Sequence, residues 1–436
     1  MAEPLRIALA GLGTVGVGVI RLVEANKALI ERRAGRPIAI TVVSARDRTR
    51  ARGVDLTPYA WEDDMVILGE RADVDVVVEM VGGSDGPALA CSRATIEAGK
   101  ALVTANKAMI AHHGLELAAK AEEHKVALKF EAAVAGGIPV IKGLREGAAA
   151  NAIERVYGIL NGTCNYILTV MEDTGRDFAD VLAEAQAKGY AEADPAFDVE
   201  GIDAAHKLSI LAAIAFGTRL DFASVVTAGI TRLRAADIAQ ADALGYVIRL
   251  IGMADAGSDG LFQRVQPHLI PFDHPLAHVD GATNAVVAEG NFSGRLLFQG
   301  AGAGDGPTAS AVVADLIDIA RSTVGGGQTG NAFSMPVAEL EAMPPAPTGH
   351  RLGRAYLRFM VKDRPGVLAE IAAALRDAGV SIESLIQKGG AGESGEVMVA
   401  LVTHEGPESA VSEALRLLEG SDSLSEAPLV LHILED

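Results

Sequence analysis

Cysteine, aromatic residues and positive charge are all scarce in this 436-residue chain. The two cysteines, Cys91 and Cys164, have no metal-ligand spacing and cannot make a disulfide framework, so a reducing compartment is expected. Aromatics are 4%, which leaves Ala, Val, Ile and Leu to build the core. Lys and Arg number 38 against 57 Asp and Glu, a formal net charge of −19. An acidic surface repels phosphates, which argues against nucleic acid or an anionic membrane as the main partner. Apolar runs such as 208–216 fall short of the about 20 residues that span a bilayer. The start, Met-Ala-Glu-Pro, is not basic, and glycines at 11, 13, 16 and 18 break the apolar stretch that a signal peptide would need. A cytoplasmic protein is expected.

Regular punctuation fills the space these absences leave. Strands are expected at 5–10, 38–44, 74–81, 101–104 and 127–130. Helices are expected at 14–28, 87–98 and 114–124. Strands alternating with helices imply a doubly wound parallel sheet of the Rossmann type. From about 140 to 300 the pattern is mixed α+β, with helices at 177–188 and 201–216 and strands at 152–160, 260–270 and 285–290. The Pro-rich stretch 343–354 resists helix and sheet and reads as a linker. Beyond it, strands at 356–361, 381–387, 396–403 and 429–433 and helices at 366–378 and 407–418 form a β-α-β-β-α-β module with a glycine-rich turn at 389–395. That order is ferredoxin-like. The expected divisions of the chain are 1–140, 141–304, a linker over 331–354 and a module over 355–436.

Gly11-Leu12-Gly13-Thr14-Val15-Gly16 follows a strand and opens a helix, the context of a dinucleotide site. Gly11 makes the tight turn, Gly13 admits the pyrophosphate, and Gly16 lets helix and strand approach. Thr14 and Val15 then offer the helix N-terminus to the phosphates. At the end of the second strand an NAD site usually carries a carboxylate. Here Arg46 stands first, followed by Asp47, Arg48 and Arg50. Guanidinium groups suit a 2′-phosphate, so NADP(H) is favoured, while Asp47 leaves NAD(H) open.

Four further segments carry polar groups at places where chemistry is expected. Lys107 follows the fourth strand, where a lysine suits a carboxylate or phosphate. The turn after Glu131, through Val134, Gly136 and Ile138 to Pro139, exposes carbonyls and is either a hard-cation site or a domain crossover. Residues 161–166, Asn-Gly-Thr-Cys-Asn-Tyr, make a polar floor for a small zwitterion or a helix cap at Asn161 or Thr163. Asp203 and Lys207 share one face of a helix that otherwise carries Ala, Leu and Ile. Glu192, Asp194 and Asp198 precede them. A carbonyl reduction needs a group to protonate the forming alkoxide, and a lysine held by a carboxylate can do so. The carboxylates before it suit a substrate ammonium.

Together with the segment at 300–316 (GAGAGDGPTASAVVADL), these motifs resemble homoserine dehydrogenase, from Leu5 to about Val324 and in that family's order. The resemblance implies NAD(P)H-dependent reduction of L-aspartate 4-semialdehyde to L-homoserine on the route to threonine and methionine. It implies Lys207 as proton donor with Asp203 as its partner, and Lys107 at the junction of substrate and nicotinamide. It also implies Glu192 on the substrate amino group, with Gly162, Thr163, Tyr190 and Asp198 around the substrate. Gly304 is implied near the nicotinamide, with about 305–330 completing the 1–140 nucleotide domain, 141–304 as the catalytic and dimerisation domain and 355–436 as a regulatory domain. Glu131 with the carbonyls of Val134, Gly136 and Ile138 is implied as a sodium site.

The tail resembles an ACT domain. Asp363 to Gly366 sits where a strand turns into a helix, suited to an amino-acid carboxylate. L-threonine is the effector the resemblance implies, and a homodimer or homotetramer the assembly. Two other readings compete: another ACT-tailed amino-acid dehydrogenase, and a non-catalytic nucleotide-binding amino-acid sensor. The first does not explain residues 161–166 and 188–207. An intact Glu192, Asp203 and Lys207 set argues against the second.

Overall fold

The computed structural model describes residues 3–325, 330–388 and 396–435; the expected turn at 389–395 lies outside them. Val and Ile runs make the first sheet. Its six strands are all parallel, in the spatial order Ala60–Trp61, Ile38–Ser44, Leu5–Ala10, Val76–Glu79, Ala101–Thr104, Leu128–Lys129. Val76, Val77 and Val78 are buried, as expected where helices cover both faces. Strand order reverses beside Leu5–Ala10, and the carboxyl ends of that strand and of Val76–Glu79 open a crevice there. The late helix Asp305–Gly325 returns to this layer. Its Ala309, Val312, Val313 and Leu316 share one core with Leu9, Val19 and Ile20.

Two boundaries differ from expectation for local reasons. The helix expected at 114–124 spans Lys107–His124, because the Asn106 side chain caps it by accepting the Met109 N–H at 3.1 Å. The helix that starts at Thr14 ends at Ala25, and a second begins at Lys27. Besides short two-residue strands such as Ala60–Trp61, two long strands are not among those expected. Tyr246–Gly257 is apolar at almost every position, a pattern whose periodicity does not separate strand from buried helix. It forms a long hairpin with Gly260–Pro271. Gly294–Ala301 is an edge strand of alternating exposure.

The second sheet joins the two remaining parts of the chain. Its main path runs Gly294–Ala301, Thr283–Gly290, Ile153–Ile159, Tyr246–Gly257, Gly260–Pro271, then Leu429–Ile433, Ala355–Lys362, Glu396–Thr403 and Ile382–Lys388. The last four are the C-terminal module in ferredoxin-like order, and they continue the catalytic sheet through parallel pairing of Gly260–Pro271 with Leu429–Ile433. Residues 331–354, expected as a linker, are not a free tether. Pro344 and Ala346 exchange backbone hydrogen bonds with Leu261, and Arg351 pairs with Asp255. Proline rules out long elements here but not docking on a strand edge. No helix among the described residues is long and apolar enough to cross a membrane.

Charge also fastens the module. Arg358, on its first strand, pairs with the fully buried Asp237 of the helix Ala235–Ala243 and donates to Glu426 at 3.1 Å. Tyr356 donates to the same Asp237 at 3.1 Å. Burial pushes the Asp237 carboxyl up, and Arg358 opposes that shift. Replacing Arg358 with Ala leaves a buried carboxylate uncompensated, which is expected to cost about 3–5 kcal/mol. Denaturant unfolding of Arg358→Ala reads this loss; a loss below about 1 kcal/mol contradicts this role for the buried pair.

Candidate active site

The crevice at the strand-order reversal continues into a cleft of about 660 Å³ between the two sheets. At one end lies the glycine loop. Gly11 has φ of 103°, and a Cβ there would sit 2.8 Å from the Met80 carbonyl oxygen; at Gly16 a Cβ would sit 2.1 Å from the Gly11 oxygen. A Cβ at Gly13 would instead enter open space. The helix Thr14–Ala25 has neither a side-chain cap nor an acidic residue in its first turn, so its N–H groups are free for a phosphate. Glu79 shapes the neighbouring loop: its carboxylate accepts the N–H groups of Val81 (2.7 Å) and Gly82 (3.2 Å) and the Thr104 hydroxyl (2.6 Å). Thr14, Val15 and Gly304 line the cleft.

At the other end the helix Ile202–Phe216 presents Asp203 and Lys207, which are 4% and 8% exposed. Asp203 Oδ2 accepts from Lys207 Nζ and from Asn161 Nδ2, at 2.7 and 2.8 Å. Asp203 Oδ1 pairs with Lys107 Nζ at 2.8 Å. One carboxylate thus holds two ammonium groups that reach it from different layers. Lys207 Nζ also donates to the Leu160 carbonyl at 2.7 Å. An ammonium has three donors, so one of Lys207's is left for the cleft it lines.

Burial alone would raise the Asp203 carboxyl, but Lys207 and Lys107 hold it well below the usual carboxylate range. Burial lowers Lys207, with Lys107 adding to the shift and Asp203 opposing it. Burial would lower Lys107 too, yet Asp203, Asp198 and Glu192 outweigh it and the shift is upward. Burial and the nearby Asp203 push Asp198 up. The result is one ionised acid beside a lysine whose proton is loosened, the combination a proton donor to an alkoxide needs.

Other expected residues are placed unequally. Gly162, Thr163, Tyr190 and Asp198 line the cleft with Lys107, Asp203 and Lys207. Thr163 donates to the Tyr190 carbonyl at 2.9 Å. Glu192 is exposed and outside the cleft lining, and reaches the cluster through its charge on Lys107. Arg46 is exposed and unpaired among the described residues, at the end of Ile38–Ser44. Asp47 Oδ1 is taken up by the Thr49 N–H and hydroxyl at 2.8 and 2.7 Å. Asp363 and Gly366 line a separate groove of about 340 Å³ on the C-terminal module.

Family models match along nearly the whole chain: homoserine dehydrogenase, NAD binding domain, at 11–131; homoserine dehydrogenase at 139–317; and ACT domain at 355–420. A homoserine dehydrogenase of Pseudomonas aeruginosa is 46% identical over 430 residues, 97% of each chain. One of Neisseria gonorrhoeae is 45% identical, with 98% of each covered. The crystal structure of a homoserine dehydrogenase from Thiobacillus denitrificans superposes with a TM-score of 0.93 at 41% identity, covering 99% of each chain. The chain belongs to the homoserine dehydrogenase family. It is an oxidoreductase with a nicotinamide-binding domain, a catalytic domain and an ACT domain.

For a homoserine dehydrogenase, two residues of this cleft escaped the sequence reading as site residues. Asn161 belongs to the stretch 161–166 expected as a polar floor or a helix cap, but only its capping role is specific to it in the sequence. It does cap Gly162–Thr174, accepting the Cys164 N–H at 2.8 Å, but its amide also bridges Asp198 and Asp203 at 2.8 Å each, separating two carboxylates. Asn284 lines the cleft with a buried, unpartnered amide, packed so closely that a Cβ on Gly302 would lie 2.2 Å from it. No sequence signal marks Asn284, because it stands inside an ordinary strand. Loss of the Lys207 ammonium is expected to lower kcat by about 10²–10⁴-fold. Steady-state kinetics of folded Lys207→Ala reads this, and a near-normal kcat would refute the assignment.

Proposed function

We propose that the enzyme reduces L-aspartate 4-semialdehyde to L-homoserine with NADPH, on the route to threonine and methionine. The observation that carries this reading is the Asp203 carboxylate held between Lys107 and Lys207 at the inner end of a dinucleotide crevice. The open space at Gly13 and the uncapped helix after it fit a bound pyrophosphate. When bound, the cofactor supplies the hydride. Lys207 gives the proton to the aldehyde oxygen as it becomes an alkoxide, and Asp203 keeps the ammonium charged until then. Lys107 orients the substrate against the nicotinamide end. Asp198 and Glu192 attract the substrate ammonium, and Gly162, Thr163 and Tyr190 close the pocket.

Arg46 supports NADP(H) over NAD(H), because the one carboxylate near the ribose position, Asp47, is committed to its own turn. Glu131 suits the family's sodium ion. It is buried beside Asp315, which with burial pushes its carboxyl up to about 7, although its oxygens accept the Ile141 and Lys142 N–H groups at 2.9 Å. Its carboxylate with the carbonyls of Val134, Gly136 and Ile138 gives an all-oxygen donor set, the kind a hard cation takes. Threonine sensing rests on Gly366, which has φ of 99° and starts the helix Val367–Asp377 with no side-chain cap, and on the exposed Asp363 beside it.

Following NADPH consumption with aspartate semialdehyde, or its formation from homoserine at high pH, tests the reading. No turnover in either direction refutes it. In the same assay added L-threonine lowers the rate, and a rate indifferent to threonine refutes the effector assignment. Arg46→Ala is expected to weaken NADPH binding about 10–100-fold, the worth of one charge-assisted contact, and to leave NADH binding nearly unchanged. Equal losses for both cofactors would mean that Arg46 does not meet the 2′-phosphate.

A further inference from the structure

Next to the cleft and sharing Lys107 with it lies a second, smaller hollow of about 350 Å³, lined by Asn106, Lys107, His112, Phe197 and His206 among others. The mechanism uses none of its rings. His206 is 4% exposed and lies on the same helix as Asp203 and Lys207. His112 lies on Lys107–His124, the helix whose first residue is Lys107. Their Nε2 atoms are 3.3 Å apart, so the two helices that carry the reacting lysines are also joined ring to ring. That hydrogen bond needs one Nε2 bare. Burial, with His112 alongside, pushes His206 down to about 4, which keeps it neutral at working pH.

Two rings stack on His206. His206 stacks on Phe222 with centroids 4.3 Å apart and an interplanar angle of 10°. Phe197 also stacks on His206, at 5.6 Å and 29°. Lys107 Nζ lies 5.8 Å from the Phe197 ring centre, within reach of a cation–π attraction. Phe197 directly precedes Asp198 in the single turn Ala196–Val199, so docking its ring also places the Asp198 carboxylate.

We propose that the His112–His206 pair, with Phe197 stacked on His206, is an interdomain clasp that sets the approach of Lys107 to Asp203. His112, His206 and Phe197 are therefore positioning residues. The Lys107–Asp203 pair is one fixed point between the helices, and the histidine pair, which lines the neighbouring hollow and not the cleft, is a second. Two points fix the relative rotation of the helices where one would leave a pivot. The clasp rests on the reading of Lys107 and Asp203 as part of the reaction site.

Phe197 is 41% exposed and His112 is exposed, so truncating either leaves no large internal cavity. Phe197→Ala and His112→Ala are expected to lower kcat roughly 10–100-fold, the usual effect of a small misplacement of reacting groups. The Kd for NADPH alone is expected to stay within about twofold, and Phe197→Tyr, which keeps the ring, within about threefold of the parent kcat. Hydrogen exchange without substrate is expected to rise in the first turns of Lys107–His124 for His112→Ala. Unchanged exchange there, kcat near the parent value in both alanine variants, or Phe197→Tyr as impaired as Phe197→Ala, each overturns the clasp. An inactive parent enzyme would instead overturn the dehydrogenase reading, and the exchange measurement would still judge the clasp.

Discussion

A single buried carboxylate carries the site. Asp203 sits on a helix of the catalytic layer and binds Lys207 one turn along it, Lys107 from the nucleotide-binding layer and Asn161 from the loop before Gly162–Thr174. Burying an isolated carboxylate is costly, and removing one partner of a buried pair is more costly than never having built it. With two ammonium groups on its oxygens, Asp203 stays ionised where burial would otherwise protonate it. That ionised acid holds the ammonium of a buried lysine at the cleft, and it ties two layers of the molecule together there.

The catalytic layer is tied equally firmly on its far side. The ACT module adds four strands to the catalytic sheet, and the buried Arg358–Asp237 pair closes the joint. Arg232 and Arg234, just before that helix, reach Ala427, Pro428 and Glu426 of the module. The same segment continues to the site: Ile230 donates to the Val199 carbonyl at 2.9 Å, one residue after Asp198. A change of shape in the module therefore has a short covalent and hydrogen-bonded path to the Asp198 carboxylate of the cleft. Coupling between two sites requires an element with two arrangements, and the segment from 226 to 234 joins both ends.

Much of this was legible in the sequence because it is local. The glycine loop, the strands at 5–10, 38–44, 101–104, 396–403 and 429–433, and the Asp203–Lys207 spacing all follow from nearest-neighbour rules, and the structure has each of them. What stayed hidden is long-range. Lys107 and Asp203 are far apart in the chain, and only the packing of Lys107–His124 against Ile202–Phe216 brings them together. Asn161 carries two duties, and a sequence shows only the local one, the cap. Proline at 344, 345 and 347 correctly marks the absence of long elements, but it says nothing about the strand edge on which that stretch lies. Glu192, expected on the substrate amino group, has an exposed side chain that acts on Lys107 through its charge, a long-range relation that its acidic run does not show.

The claim that Asp203 keeps Lys207 charged is tested most directly by the pH dependence of kcat for aspartate semialdehyde reduction in Asp203→Asn. Removing the carboxylate takes away the main group that opposes burial and Lys107 in lowering the Lys207 pKa, and leaves only the weaker pull of Asp198 against them. Lys207 donates only while protonated, so the alkaline limb of the profile should move to lower pH, by about 1–3 units for loss of an adjacent opposite charge. An Asp203→Asn enzyme whose alkaline limb stays in place, with kcat near that of the parent, would contradict the account.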